Sequence, residues 1–324
     1  MAPSQPPDLT LDLVRQAHAR IAPYVRRTPV LVDEWLDEAA GARLFFKCEN
    51  LQHGGAFKAR GATNAVLALA DEAARRGVVT HSSGNHAAAI ARAAGLRGIP
   101  AHVVMPSTSA RAKLENVRRY GGRIVLCEPT LEARERAAAA IVAETGAAFI
   151  HPFDNLDVMA GQGTAALELL EDIPDLDVVV CPVGGGGLLS GTAVTVKAIR
   201  PGTRVVAAEP AEAGDAAQSF AAGRLIPLTQ TATIADGLRT SLAERTFAVI
   251  RATVDEVVTV SEASIVDAMR TIWENLKVVV EPSAAVAYAP LVEAPRRWEG
   301  LRVGIILTGG NLDLDRLPWQ LPRA

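Results

Sequence analysis

Short apolar runs of strand length, each followed by a stretch of helical spacing, recur along most of this 324-residue chain. Gly77 to Thr80, Ala101 to Met105, Arg123 to Leu126, Ala147 to Ile150, Asp177 to Val183, Arg204 to Glu209, Thr253 to Val260 and Arg302 to Leu307 read as strands. Helical stretches come between and after them: Ala87 to Ala94, Ala110 to Tyr120, Leu131 to Glu144, Gly161 to Leu170, Leu188 to Ile199, Glu262 to Asn275 and Ser283 to Val292. Alternation sustained this far leaves one fold class, α/β with parallel or mixed sheets and right-handed crossovers. Ahead of it stand an amphipathic helix from Leu11 to Ala22 with Thr10 as N-cap, a strand from Arg43 to Glu49, and a helix from Ala62 to Arg76. Residues 77–150 form a complete βαβαβαβ unit, and His151-Pro152-Phe153-Asp154-Asn155 punctuates its end. We therefore expect two α/β domains, a small one over 77–150 and a large one from 1–76 and 151–324.

Composition narrows the partners. The net charge of −3 gives nucleic acid or an anionic membrane no basic surface to bind, and no apolar run is long enough to span a bilayer. Cys48, Cys127 and Cys181 are odd in number, widely spaced and without metal-ligand spacing, which fits a reducing compartment rather than a disulfide framework. Met1 to Pro7 lacks the basic and apolar regions of a secretory leader, so a cytoplasmic protein acting on a small molecule is expected.

Only five of the 33 basic residues are lysine: Lys47, Lys58, Lys113, Lys197 and Lys277. Arginine stays charged, whereas a buried lysine amine can lose its proton and attack a carbonyl. Lys58, in Gly54-Gly55-Ala56-Phe57-Lys58-Ala59-Arg60-Gly61, has the small neighbours that leave room for a ligand; a surface lysine in a glycine loop is the alternative. Three further loops fall at strand ends, where open α/β sheets bind ligands. Gly184 to Gly187, between a strand and a helix, suits a phosphate held by backbone N–H groups and a helix dipole. It has neither a dinucleotide fingerprint nor a P-loop lysine, and a plain connector of four glycines would forfeit much chain entropy on folding. Ser82-Ser83-Gly84-Asn85-His86 opens a helix with groups that suit a carboxylate, although Ser and Asn are also ordinary caps and His86 could be structural. Thr308-Gly309-Gly310-Asn311 offers a hydroxyl. Together a lysine, a phosphate cradle, a carboxylate cradle and a placed hydroxyl describe a pyridoxal phosphate site that receives an amino acid.

Taken in order, Gly55 to Gly61, Ser82 to His86, Ala160 to Thr164, Gly184 to Gly187 and Thr308 to Asn311 resemble the motifs of fold-type II pyridoxal phosphate enzymes, the tryptophan synthase beta-like kind. Ala208-Glu209-Pro210, Ile234 to Leu238 and Glu281 to Ala284 agree, and the likeness is strongest to threonine/serine ammonia-lyase (threonine dehydratase) and serine racemase. The resemblance implies that Lys58 binds the cofactor covalently with Phe57 beside its ring, that Asn85 meets its 3-hydroxyl, and that Gly184, Gly185, Gly186, Gly187 and Leu188 hold its phosphate. Thr308 would face the pyridine nitrogen, and Ser82, Ser83, Asn85 and His86 would receive the substrate carboxylate. Ser83 would also act as acid/base opposite Lys58, as in the racemases. Glu209, the Ala213 carbonyl and Asp215 would bind Mg²⁺ or Ca²⁺, hard ions that take oxygen ligands; a solvated acidic turn is the alternative. The activity implied is β-elimination from L-threonine or L-serine to a 2-oxo acid and ammonia, with serine racemization, or elimination from another 3-hydroxy amino acid such as 3-hydroxyaspartate, as alternatives. A homodimer or homotetramer is expected. Three departures stand out: Ala56 replaces a usual serine, Ala87-Ala88 follow His86 where Gly-Gln is usual, and Thr308 replaces a commoner serine. Without a feedback-regulatory extension, a catabolic or unregulated enzyme is expected. Gly161 to Thr164 and Ile234 to Leu238 are expected to wall the substrate pocket.

Overall fold

The computed structural model describes residues 9–320 apart from Ser83, Ala110 and the side chain of Ala112. Its strands are β1 (Val30–Leu31), β2 (Arg43–Cys48), β3 (Val78–His81), β4 (Ala101–Pro106), β5 (Arg123–Cys127), β6 (Ala148–Phe149), β7 (Val178–Pro182), β8 (Arg204–Pro210), β9 (Glu256–Val260) and β10 (Arg302–Leu307). They form a six-stranded sheet in the order β1-β2-β10-β7-β8-β9 and a four-stranded sheet in the order β5-β4-β3-β6. Every pairing is parallel except that of the edge strand β1 with β2. The expected α/β class is therefore the observed one. All strands of the smaller sheet come from within residues 78–149, and those of the larger come from either side of that stretch.

The large sheet is covered on both faces, which is why its central strands are apolar throughout rather than alternating with polar residues. In β7, Val178 and Val180 pack into one core cluster while Val179 and Cys181 pack into another across the sheet. Three helices on one side cross with almost no side chain between them. A Cβ added to Gly161, in helix Leu156–Asp172, would lie 2.6 Å from the Cα of Gly61 in helix Lys58–Ala68. A Cβ on Gly191, in helix Gly187–Ile199, would lie 2.4 Å from the Met159 carbonyl oxygen. Glycine in a helix interior lowers intrinsic stability, and close backbone approach is what it permits in return.

Several boundaries differ from expectation. The helix expected from Ala62 begins at Lys58 and ends at Ala68, and a separate short helix, Asp71–Arg75, follows. Its early start is set by long-range pairing: Ala56 bridges Gly309 and the Phe57 N–H donates to the Thr308 carbonyl at 2.9 Å, so the chain is free to coil only from the next residue. The helix expected over Ser283 to Val292 is two, Pro282–Ala285 and Ala289–Glu293, with Pro290 in the first turn of the second. Helices Glu34–Ala40, Asp215–Ala222 and Glu244–Thr253 carried no expectation. The Thr10 cap is present, its hydroxyl accepting from the Leu13 N–H at 3.3 Å. Among the described residues no helix is long and apolar enough to cross a membrane, and the three cysteines are free.

Candidate functional site

The two sheets meet around a cavity of about 500 Å³ lined by residues from all four sequence-selected loops. Lys58, first residue of its helix, projects into it, and its Nζ donates to the Pro152 carbonyl at 3.0 Å. Burial pushes this amine down to about 8, since the charged form is penalised away from water. Its loop is held from outside: Gly55 adopts φ +74°, and the Gly310 N–H donates to the Gly55 carbonyl at 2.9 Å.

Arg60, one half-turn on, is fully buried and anchors the lysine helix. Its guanidinium grips Glu49 through Nε (2.7 Å) and Nη2 (2.8 Å), and Glu168 through Nη1 and Nη2 (both 2.7 Å). Lys47 adds a 2.7 Å bond to Glu168, and the Thr28 hydroxyl donates to Glu49 at 2.6 Å. Burial alone would raise the Glu168 carboxyl, but His18 at 3.7 Å, the hydrogen bonds from Arg60 and the charges of Arg60 and Lys47 hold it well below the usual carboxylate range. Sequence patterning missed this network because each member lies in a different segment.

The glycine run forms the opposite wall. Gly186 stands at φ +84° as the cap of helix Gly187–Ile199, whose first backbone bond runs from the Ser190 N–H to the Gly186 carbonyl at 2.8 Å. The N–H groups just before that point lack intrahelical partners and carry the positive end of the helix dipole. Phe153 packs against the run so closely that a Cβ on Gly185 would lie 2.3 Å from its ring. The ring belongs to the turn after His151, whose Nδ1 accepts from the Asp154 N–H at 2.9 Å.

On the side of the four-stranded sheet, Ser82, Gly84, Asn85 and His86 line the cavity; Ser83 lies outside the described residues. The Ser82 N–H donates to the Val104 carbonyl at 3.1 Å and its hydroxyl accepts from Gly84 at 3.3 Å. His86 is buried and among the described residues its ring nitrogens meet no hydrogen-bond partner; burial first, then the charges of Lys58 and His151, keep it neutral. Asn85 donates to Glu281 at 2.8 Å and accepts from Asn311 at 2.9 Å. Burial, with the nearby charge of Asp236, raises Glu281 to about 8. Phe57, Leu188 and Thr308 also line the cavity, as does Asp236, which ion-pairs with Lys113. Of the two stretches expected to wall the pocket, Asp236 to Leu238 does so and Gly161 to Thr164 does not. The latter lies behind the lysine helix, with Gln162 accepting from the Gly61 N–H at 3.1 Å and Thr164 bound to Arg60. Its glycines serve helix crossing.

Away from the cavity, Glu209, Ala213 and Asp215 are buried together. The Glu209 oxygens accept from the Ala216 and Ala217 N–H groups, both at 2.9 Å, and Asp215 Oδ2 accepts from Leu242 at 3.3 Å while Oδ1 has no partner among the described residues. Burial raises Glu209 to about 8 and Asp215 to about 6. An unpartnered buried oxygen beside a second acid fits a hard cation. Among the described residues, however, no set of three His, Cys, Asp or Glu side chains is grouped as metal ligands.

The cavity's residues fit pyridoxal phosphate: an amine with a lowered pKa at one end, free backbone N–H groups ahead of a helix at the other, and amide and hydroxyl side chains between. Comparison with known proteins agrees. The family described as "Pyridoxal-phosphate dependent enzyme" matches residues 21–309. The chain is 53% identical over 304 residues to a beta-hydroxyaspartate dehydratase of Paracoccus denitrificans, covering 94% of this chain and 96% of that one. It is 51% identical over 312 residues to a serine racemase of Oryza sativa subsp. indica, covering 95% and 92%. The solved structure of maize serine racemase superposes with a TM-score of 0.93 at 51% identity, covering 96% of each chain. By motif, fold and likeness alike, the chain belongs to the pyridoxal-phosphate dependent enzymes of fold type II.

Proposed function

We propose that this enzyme expels the β-hydroxyl of 3-hydroxy amino acids as water by β-elimination, that the unsaturated product then tautomerises and is hydrolysed to the 2-oxo acid and ammonia, and that 3-hydroxyaspartate is its preferred substrate. The observation that carries the substrate is Arg134. Arg134 lines the cavity, and its hydrogen bond among the described residues is from Nε to the Thr130 carbonyl at the start of its own helix, at 3.3 Å. Lys113 is instead engaged by Asp236, while Arg239, like Arg134, bonds a backbone carbonyl, that of Thr233. A cation on the wall without an acidic partner suits a second substrate carboxylate, which serine and threonine lack. The 53% identity to a beta-hydroxyaspartate dehydratase points the same way. Elimination from L-threonine or L-serine, with serine racemization beside it, is the second reading, favoured by the likeness to serine racemases.

When bound, the cofactor supplies an electron sink for charge developing at the substrate α-carbon. The protein's part in the chemistry is proposed as follows. Lys58 holds the cofactor and, once displaced, takes the α-proton; an amine lowered to about 8 is neutral in roughly a tenth of molecules at pH 7, enough to act as base. Pro152 O receives the amine when it is protonated. The N–H groups of Gly184 to Leu188 would hold the phosphate, Asn85 would donate to the 3-oxygen and Phe57 would pack beside the ring. Thr308 would meet the pyridine nitrogen as a neutral partner, which would leave a weaker sink and favour prompt elimination. Ser82, Asn85 and neutral His86 receive the α-carboxylate, and Ser83, outside the described residues, is the second acid/base. Glu209, Ala213 and Asp215 hold Mg²⁺ or Ca²⁺ and thereby fix Leu242 beside the glycine run.

The test is a product assay with L-threo-3-hydroxyaspartate, L-serine and L-threonine, following 2-oxo acid, ammonia and D-serine together, with and without EDTA. The reading expects the highest kcat/KM for hydroxyaspartate with oxo acid and ammonia in equal amounts. A higher value for threonine or serine, or D-serine as the main product, would replace it with the second reading.

A further inference from the structure

Asn311 ends the loop that begins with Thr308, and its side chain joins three of the loops around the cavity. The Gly54 carbonyl can only accept, so the Asn311 atom 2.6 Å from it is the amide nitrogen. That nitrogen also faces Asn85 across 2.9 Å, which makes the facing Asn85 atom its oxygen. The Asn85 nitrogen is thereby turned toward Glu281, whose Oε1 accepts from it at 2.8 Å. One backbone carbonyl thus sets the orientation of two amides that would otherwise be ambiguous. Neighbouring glycines make room for it. A Cβ on Gly55 would lie 2.5 Å from Asn311 Oδ1, and one on Gly309 would lie 2.4 Å from Glu281 Oε1.

We propose that Asn311 is a positioning residue that, by occupying the Asn85 oxygen, fixes the Asn85 nitrogen as the donor presented to the cofactor's 3-oxygen. This rests on the contact between Asn85 and that oxygen given above. An amide nitrogen has two hydrogens: Glu281 takes one, and the other remains for the ligand. An Asn85 released from Asn311 could turn its oxygen inward and set two acceptors against each other, losing a charge-assisted hydrogen bond.

The experiment is a double-mutant cycle on apoenzyme titrated with pyridoxal phosphate, reading the dissociation constant and the pH at which the bound cofactor's visible band gives way to its near-ultraviolet band. Asn311→Asp keeps the side chain's size and removes its donors; it should weaken binding about tenfold and move the band transition. Asn85→Ala should do the same, and the double variant should lose no more than Asn85→Ala alone. Asn311→Ser, read identically, serves if the aspartate variant does not fold. Additive losses, or wild-type affinity and band in both Asn311 variants, overturn the proposal. If Asn85→Ala itself leaves affinity and band unchanged, the contact of Asn85 with the cofactor falls, and Asn311's role with it.

Discussion

Replacing Arg60 with methionine tests whether the buried network holds the lysine helix. The guanidinium makes four bonds of 2.7–2.8 Å to two carboxylates, each with almost no solvent access. In the variant Glu168 keeps Lys47, but Glu49 keeps only the Thr28 hydroxyl. Stranding a buried charge in this way costs about 3–5 kcal/mol, a large part of the roughly 5–15 kcal/mol that holds a domain folded. At the usual unfolding entropy per residue this corresponds to a melting temperature lower by about 4–7 °C for a chain of this length. Arg60→Lys should fall between, because one ammonium cannot grip two carboxylates in bidentate fashion. Thermal unfolding of the holoenzyme at one scan rate, followed by far-ultraviolet circular dichroism, gives the shift. A drop under about 1 °C would refute the argument, for the network would then be replaceable by apolar packing.

Further outcomes are expected elsewhere. Lys58→Ala should abolish the cofactor's lysine-linked visible band and lower kcat by about 10²–10⁴, and a band of wild-type intensity would exclude Lys58 as the anchor. Gly185→Ala must displace the Phe153 ring, so pyridoxal phosphate should bind at least about tenfold more weakly in an absorbance titration; equal affinity would remove the glycine run from the phosphate site. Arg134→Gln should raise KM for L-threo-3-hydroxyaspartate by about 10–100-fold and leave that for L-serine within about twofold, and parallel changes would remove Arg134 from substrate recognition. Glu281 and Glu209, both raised to about 8, keep protons in the folded chain that they release on unfolding at the same pH. Metal-free protein should therefore lose stability as pH rises, most clearly from about 6.5 to 8, where the histidines no longer contribute, and Glu281→Gln should flatten that slope in urea titrations.

The fold was legible because every strand of the large sheet's centre is a continuous apolar run, a pattern that a doubly covered parallel sheet requires. Asn85, the glycine run and Thr308 could be picked out because each follows a strand end, and Lys58 because it is a rare lysine with small neighbours, and the structure brings all of them to one cavity. What was not legible depends on contacts between distant segments. Glu49, Arg60 and Glu168 look like ordinary charges until the fold buries them against one another. Gly161 to Thr164 looked like pocket wall because glycine marks ligand approach as readily as helix approach, and only the crossing with Gly61 separates the two. Arg134 lies at the end of the first turn of its helix among alanines and glutamates, where no local signal distinguishes it from a solvated residue.

The three helices that cross through Gly61, Gly161 and Gly191 have a bearing on how such an enzyme changes its diet. Lys58 begins one of them and the run Gly184 to Gly187 leads into another, so the interval between amine and glycine run is gauged by missing side chains about one turn beyond each. Arg134 and Lys113, by contrast, stand on helices of the separate four-stranded unit. Residues there can be exchanged to admit a different side chain without disturbing the gauge. A lineage can in this way acquire new substrates while the interval that seats its coenzyme stays fixed, and a methyl group added at Gly161 or Gly191 should harm every substrate alike.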